Sequence, residues 1–270
     1  MLTDLSIDGF LAFGAAYPLC FWANPRARVD GGFYRFNLGV ACFVLSLGVL
    51  ALLLAPPVTA ATRAPTTATV GGVAWLVLLL AVTWAVWRRG RPSLLLVSLP
   101  SGLGIAVVAA LVAARTATLA DAAATAMATV TTLVGAGALG LALYTMILGH
   151  WYLNVERLPI AHLSAAVWSY AALLALRLVW NVVAVSALSI DYQGLPLPVW
   201  RFIATLDGFL LAVGIFFGTV LPLVVALLVQ RTLAAKSTQA ATGLLYVVVV
   251  AAIIGDFTYR FFQLRYEAFL

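Results

Sequence analysis

The chain has 270 residues, 64% of them hydrophobic and only 9% charged, with mean hydropathy +1.10 and a formal net charge of +6. A soluble domain carries about 25% charge, so this composition excludes an ordinary soluble fold and points to a protein that crosses a membrane repeatedly. Apolar runs of ~20 residues predict helices rather than a barrel, whose strands would alternate over about ten.

The chain reads as a single integral-membrane domain over 1–270, all-α, a polytopic transmembrane helix bundle of about eight spans at ~20 residues each. The first span is expected over Gly9 to Ala23. The stretch leading into it has no basic leader and no small-residue cleavage site, and its only charges are Asp4 and Asp8, so it reads as retained. The second span is expected over Tyr34 to Ala55, the third over Val70 to Trp87 and the fourth over Leu94 to Ala114. The fifth follows over Thr125 to Gly149, the sixth over Ala161 to Leu188, the seventh over Trp200 to Gln230 and the eighth over Ala240 to Gln263. Short connections such as NPRARVDGG, RRGRP and DYQGLPLP carry the turn formers between them. Pro100 and Pro222 are expected to kink spans four and seven, and the freed carbonyls either line a cavity or meet a neighbouring helix. The glycines of VGAGALG, Gly135, Gly137 and Gly140, permit close helix approach.

An even number of spans places both termini on one side, and the basic residues choose the side. Arg26, Arg28, Arg35, Arg88, Arg89, Arg91, Arg157, Arg231 and Lys236 follow the odd-numbered spans, nine of the fifteen Lys+Arg. Both termini are therefore expected outside and the basic loops in the cytoplasm of a cell whose inner (plasma) membrane holds the protein. The positive charge is then a topology signal, with no reason to invoke nucleic acid; lipids are the expected surroundings. Trp22, Trp87, Trp151 and Trp200 fall at span ends, where interfacial anchors belong.

An ionised side chain within a span is costly and normally faces the bundle interior with a partner, so each is a functional candidate. Arg177, Asp207, Asp256 and Arg260 qualify. Arg177 lies near the middle of span six with Asn181 one turn further on the same face, and Asp207 is expected about two turns into span seven. Asp256 and Arg260 are spaced to pair within span eight. With the stated topology all four fall in the outer half of the bilayer and can form one cluster. That cluster is either structural, with Arg177 and Asp207 as an interhelical clamp, or a polar pocket or proton path.

Both histidines lie in MILGHWYLNVERLPIAHL. On one continuous helix His150 and His162 would stand ~18 Å apart, but Pro159 favours a break, so His150 ends span five and His162 opens span six. Their spacing matches no recognised metal-ligand pattern, and no metal is expected. Cys20 and Cys42 lie in apolar stretches without C-x-x-C or C-x-x-C-H spacing, so no iron-sulfur cluster or covalent haem is expected within this chain. His150, Trp151, Tyr152, Arg157 and His162 read as a quinone head-group pocket or a docking surface for a cytoplasmic partner; the alternative is an interfacial loop that merely suits head groups.

Span eight ends IIGDFTYRFFQ. This G-D-x-x-x-R-x-F stretch resembles the G-E-x-x-G-R-x-x-F ending of the last helix in the membrane anchors of dimethyl sulfoxide and polysulfide reductases. Gly255, Asp256 and Arg260 match, Asp stands for Glu, and Tyr259 replaces the glycine. Those anchors also have eight spans. The resemblance implies a quinone-reactive subunit with no metal centre of its own, joined to an iron-sulfur or other redox subunit of a respiratory complex. A small transporter or channel with a buried Arg/Asp cluster is the second expectation. A lipid enzyme is disfavoured, since no H-E-x-x-H or G-x-S-x-G is present.

Overall fold

The structure is a computed structural model that describes residues 1–24, 29–54, 66–90, 93–116, 122–155 and 158–270. Among the described residues eight helices are long and apolar enough to cross a membrane. The basic loop residues Arg26, Arg28, Arg63 and Arg91 lie outside the described residues. The chain divides into an N-terminal unit, Met1–Gly137, and a C-terminal unit, Ala138–Leu270.

In the N-terminal unit, α1 (Leu2–Ala16) tightens into a 3₁₀ segment, Tyr17–Ala23, where Pro18 occupies the first turn. Then come α2 (Gly31–Leu54), α3 (Thr66–Arg89) and α4 (Leu94–Thr116). Consecutive helices pack together and α1 also packs on α4, which closes a four-helix ring. Leu11, Leu38, Leu45, Trp75 and Leu79 fill its centre. The first span thus starts earlier than its hydropathy indicates, because Asp4 and Asp8 are both held by Arg115 at the end of α4. Their charge is neutralised where the apolar pattern would otherwise be broken.

The long α5 (Ala122–Asn154) supplies residues to both units, and α6 (Ile160–Ala187) opens the rest of the C-terminal one. A hairpin of β1 (Ser189–Tyr192) and β2 (Leu195–Pro198) follows, turning through Gln193 and Gly194 at φ 58° and 80°. Those left-handed values are what a two-residue hairpin turn demands. After it come α7 (Val199–Phe202) and α8 (Leu206–Ile215), a π segment (Phe216–Val220), α9 (Leu221–Ala234) and α10 (Thr238–Tyr266). The seventh span, α8 through α9, packs against both α6 and α10.

The sequence of α6 shows why it faces as it does. Leu163, Val167, Tyr170, Leu174, Arg177, Asn181 and Ala184 are buried, while Leu176, Val179 and Val183 are exposed. Both faces are largely apolar in the middle of the helix, where Arg177 and Asn181 stand out on the buried one, as in a helix wrapped by lipid on one side and protein on the other. Lipid is as apolar as leucine, so close packing and hydrogen bonds, rather than burial of oil, hold such helices together.

Candidate functional site

The buried polar residues of the C-terminal unit gather where α6, the π segment and α10 meet. Arg177 and Asn181 enter from α6, which turns them inward on the stripe just described. Thr219 enters from the π segment. Pro222, in the first turn of α9, has no N–H to donate to the carbonyl one turn earlier, and the helix widens immediately before it. Pro222 is expected to kink this span; what stands before it is a local change of helix register, with the Leu221 amide bonded to the Phe216 carbonyl. Pro100 lies inside α4.

Tyr259 on α10 is the shared partner. Its ring carries the Arg177 guanidinium 3.8 Å from the centroid. Its hydroxyl accepts from Asn181 Nδ2 at 2.5 Å and lies 3.0 Å from Thr219 Oγ1, which Asn181 also reaches at 3.1 Å. One position further, Arg260 Nε donates to Asp256 Oδ2 at 2.7 Å and Nη2 to Oδ1 at 3.1 Å. Both partners are about 95% enclosed, being 4% and 5% exposed. This is the expected i,i+4 pair within one helix, in forked geometry.

Gly255, just before Asp256, explains the start of the motif. A Cβ there would lie 2.0 Å from the Gly218 Cα, so α10 crosses the π segment backbone to backbone. The two glycines let the polar groups of three elements come within hydrogen-bond reach.

Asp207 does not join this cluster, and the expected Arg177 to Asp207 clamp is absent among the described residues. The seventh span starts at Leu206, because Trp200 belongs to α7 and Thr205 caps the next helix by accepting from the Gly208 amide. Asp207 is thus an exposed residue of a first helical turn, where a carboxylate suits the helix dipole. It accepts from the hydroxyls of Tyr192 at 3.1 Å and Tyr266 at 3.4 Å. The carboxylate raises the Tyr192 phenol above its ordinary value, since losing that proton would break the hydrogen bond to Asp207 and set two negative charges side by side.

The histidine stretch is placed differently too. The helix expected to end at Gly149 continues to Asn154, since nothing in GHWYLN stops it. His150 therefore lies on α5, with Nδ1 3.3 Å from the Tyr246 hydroxyl of α10. Trp151 shares that last turn, and Tyr152 donates to the Pro159 carbonyl, tying the end of α5 to the start of α6. His162 sits in the first turn of α6, after Pro159 as its N-cap. Arg157 lies outside the described residues. Among the described residues no group of three or more His, Cys, Asp and Glu side chains is placed to hold a metal.

Sequence reasoning missed Tyr170, Thr219 and Tyr259. Tyr170 carried a signal, two turns before Arg177 on the same helix face. Tyr259 appeared only as a departure from a glycine. No family model, curated protein or solved structure matches the chain.

Proposed function

We propose that this protein is the membrane subunit of a respiratory oxidoreductase in the cell's plasma membrane, anchoring an iron-sulfur or other redox subunit and exchanging electrons with membrane quinone. The observation that carries the reading is the buried cluster of Arg177, Asn181, Thr219 and Tyr259 beside the Asp256 to Arg260 pair. Ionised groups enclosed in a bundle mark functional sites more often than decoration, and the G-D-x-x-x-R ending lies in this cluster.

In this reading a quinol ring oxygen docks on the Arg177 guanidinium, a fixed and permanently charged donor. The quinol gives two electrons to the partner's redox centre and two protons to the outer side, becoming quinone; the reverse direction consumes both. Arg177 and Tyr259 hold the ring oxygen, and Asp256 is the carboxylate of the cluster able to accept a proton. His150, with Trp151, Tyr152, Arg157 and His162, is the cytoplasmic-side alternative for quinone or partner docking.

Gentle purification from the native membrane tests the assembly, and a redox subunit should come with the chain. In that complex Arg177→Gln and Asp256→Asn should abolish quinone-linked turnover while assembly persists. Retained turnover would remove both residues from the mechanism. A reporter fused to the C-terminus should be active outside the cytoplasm.

The π segment beside buried polar side chains favours a second reading, a small transporter or channel, because interrupted helices frequently line substrate sites in carriers. Solute uptake by the protein alone in liposomes would select it.

A further inference from the structure

Where α2 begins and α3 stops, in the N-terminal unit, two guanidiniums lie on two neighbouring indoles. Arg35 of α2 donates through Nη2 to the Trp87 carbonyl at 2.9 Å, and its guanidinium carbon stands 5.6 Å from the Trp87 ring centre. That carbonyl belongs to the last turn of α3, where the helix supplies no donor of its own, so Arg35 ties the two helix ends together. The ends meet closely, since a Cβ on Gly31 would come within 2.8 Å of the Gly90 carbonyl oxygen. Arg88 stacks on Trp84, its guanidinium carbon 4.0 Å from the ring centre. Trp84 and Trp87 are i,i+3 neighbours on α3, and both are exposed.

A basic side chain at a membrane surface normally stretches away from the hydrocarbon. Arg88 does the reverse. Helical side chains tilt toward the N-terminus of their helix, and α3 begins at the opposite face of the membrane, so stacking on Trp84 draws this charge inward by about one turn, ~5 Å. No carboxylate awaits it there. Arg115 takes Asp4 and Asp8 at the far end of the unit, where α1 starts and α4 stops. Asp30, just before α2, accepts from the amides of Gly32 and Phe33. Among the described residues Arg35, Arg88 and Arg89 have no carboxylate partner.

The two indoles also continue an exposed apolar stripe of α3 through Leu80 to Val77. Val77 to Trp87 covers ~15 Å of helix, the depth of one leaflet. An occupant of this face is therefore apolar along its length and anionic at one end. We propose that Arg88, Arg35, Trp84 and Trp87 form a selective site for an anionic glycerophospholipid, with its phosphate on the Arg88 guanidinium and an acyl chain along the stripe. The planar fork of arginine suits phosphate, and Arg35 and Arg89 raise the local attraction for an anion without needing to touch it. An acidic face of a partner protein would use the charges and leave the stripe bare. The inference does not rest on the redox reading, and its test needs neither quinone nor partner.

Brominated acyl chains quench an indole on contact, and the Trp84 signal is read by difference against Trp84→Phe in each background. The purified full chain is placed in phosphatidylcholine vesicles that hold a small fraction of brominated phosphatidylglycerol or, separately, brominated phosphatidylcholine. Trp84 should be quenched at a several-fold lower fraction of the anionic lipid, and added salt should shrink the difference. Arg88→Gln, a change at an exposed side chain, should lower the preference roughly fivefold, the effect of one basic residue near the surface. Arg231→Gln removes an exposed charge that also follows an odd-numbered span, and it should leave the preference as it was. Equal quenching by the two lipids would overturn the proposal and leave the basic end to an acidic protein surface. An unchanged preference in Arg88→Gln, or an equal fall in Arg231→Gln, would overturn it in favour of diffuse surface charge.

Discussion

The guanidinium carbon of Arg177 stands 3.8 Å from the centre of the Tyr259 ring. One side chain of α10 thereby serves two neighbours, its ring face holding Arg177 and its hydroxyl joining Asn181 to Thr219. The two roles separate by substitution. Tyr259→Phe keeps the ring and takes one partner each from the Asn181 amide and the Thr219 hydroxyl, which keep their bond to each other, so a loss of about 1 kcal/mol is expected. Tyr259→Leu also removes the cation–π contact and should cost up to about 2 kcal/mol more. Reversible unfolding of the purified protein in lipid-detergent micelles measures both. Equal losses in the two variants would show that the ring face contributes nothing to holding Arg177.

The Asp256 to Arg260 pair is enclosed, so its halves should be far costlier to remove singly than together. Asp256→Asn leaves Arg260 without its counter-charge, and a loss of about 3–5 kcal/mol is expected. Asp256→Leu combined with Arg260→Leu leaves no stranded charge and should lose less than either single change to Leu. A double-mutant cycle reads the coupling directly. Additive losses would mean that the forked contact between Nε, Nη2 and the carboxylate carries little energy.

Gly255 and Gly243 lie on the same helix and should respond oppositely to alanine. At Gly255 the new methyl meets the Gly218 backbone at 2.0 Å, so α10 and the π segment must separate. Overpacking of this kind costs about 1–3 kcal/mol, and here it also disturbs the Asn181 to Tyr259 bond. At Gly243 nothing lies within 4 Å of the new methyl. Alanine there should be neutral or stabilising by up to about 1 kcal/mol, the helix-propensity difference. Melting temperatures of the two variants suffice to test the contrast.

What the sequence revealed, and what it hid, follows from the range of the forces involved. Span number was legible because an apolar run of bilayer length has few other uses. Arg177, Asp256 and Arg260 could be assigned inward because lipid does not tolerate them, and the last two could be paired from their spacing alone. Asp207 was misplaced because hydropathy averages over a window, whereas the start of a helix is set by one residue, here the Thr205 cap. The π segment is a change of hydrogen-bond register, to which composition is blind. Tyr259 was hidden for another reason. An aromatic residue in an apolar helix looks like core until the opposite helix places a guanidinium on it. His150 was drawn at a helix end because Pro159 calls for a break, yet α5 keeps its bonds through Asn154 and the break falls after it.

The contact between the hairpin and the helix ends around Asp207 should respond to alkaline pH. Tyr192 at the end of β1 and Tyr266 at the end of α10 both donate to Asp207, so this carboxylate ties the hairpin to two helices. The rings of Tyr192, Phe202, Phe262 and Tyr266 pack on one another with centroids 5.2–6.3 Å apart. Asp207 raises the Tyr192 phenol above its ordinary value, because the bond needs the proton. The sign follows from that direction. A folded-state value above the unfolded one contributes stability that is complete below pH ~10 and is lost as pH rises through the raised folded value. Asp207→Asn removes the charge that raises Tyr192, so the tyrosinate absorbance of this residue should appear at lower pH in the variant than in the parent protein. Assigning the signal by difference against Tyr192→Phe isolates it from the other tyrosines. Titration at the same pH in both proteins would mean that Asp207 does not hold the hairpin through Tyr192.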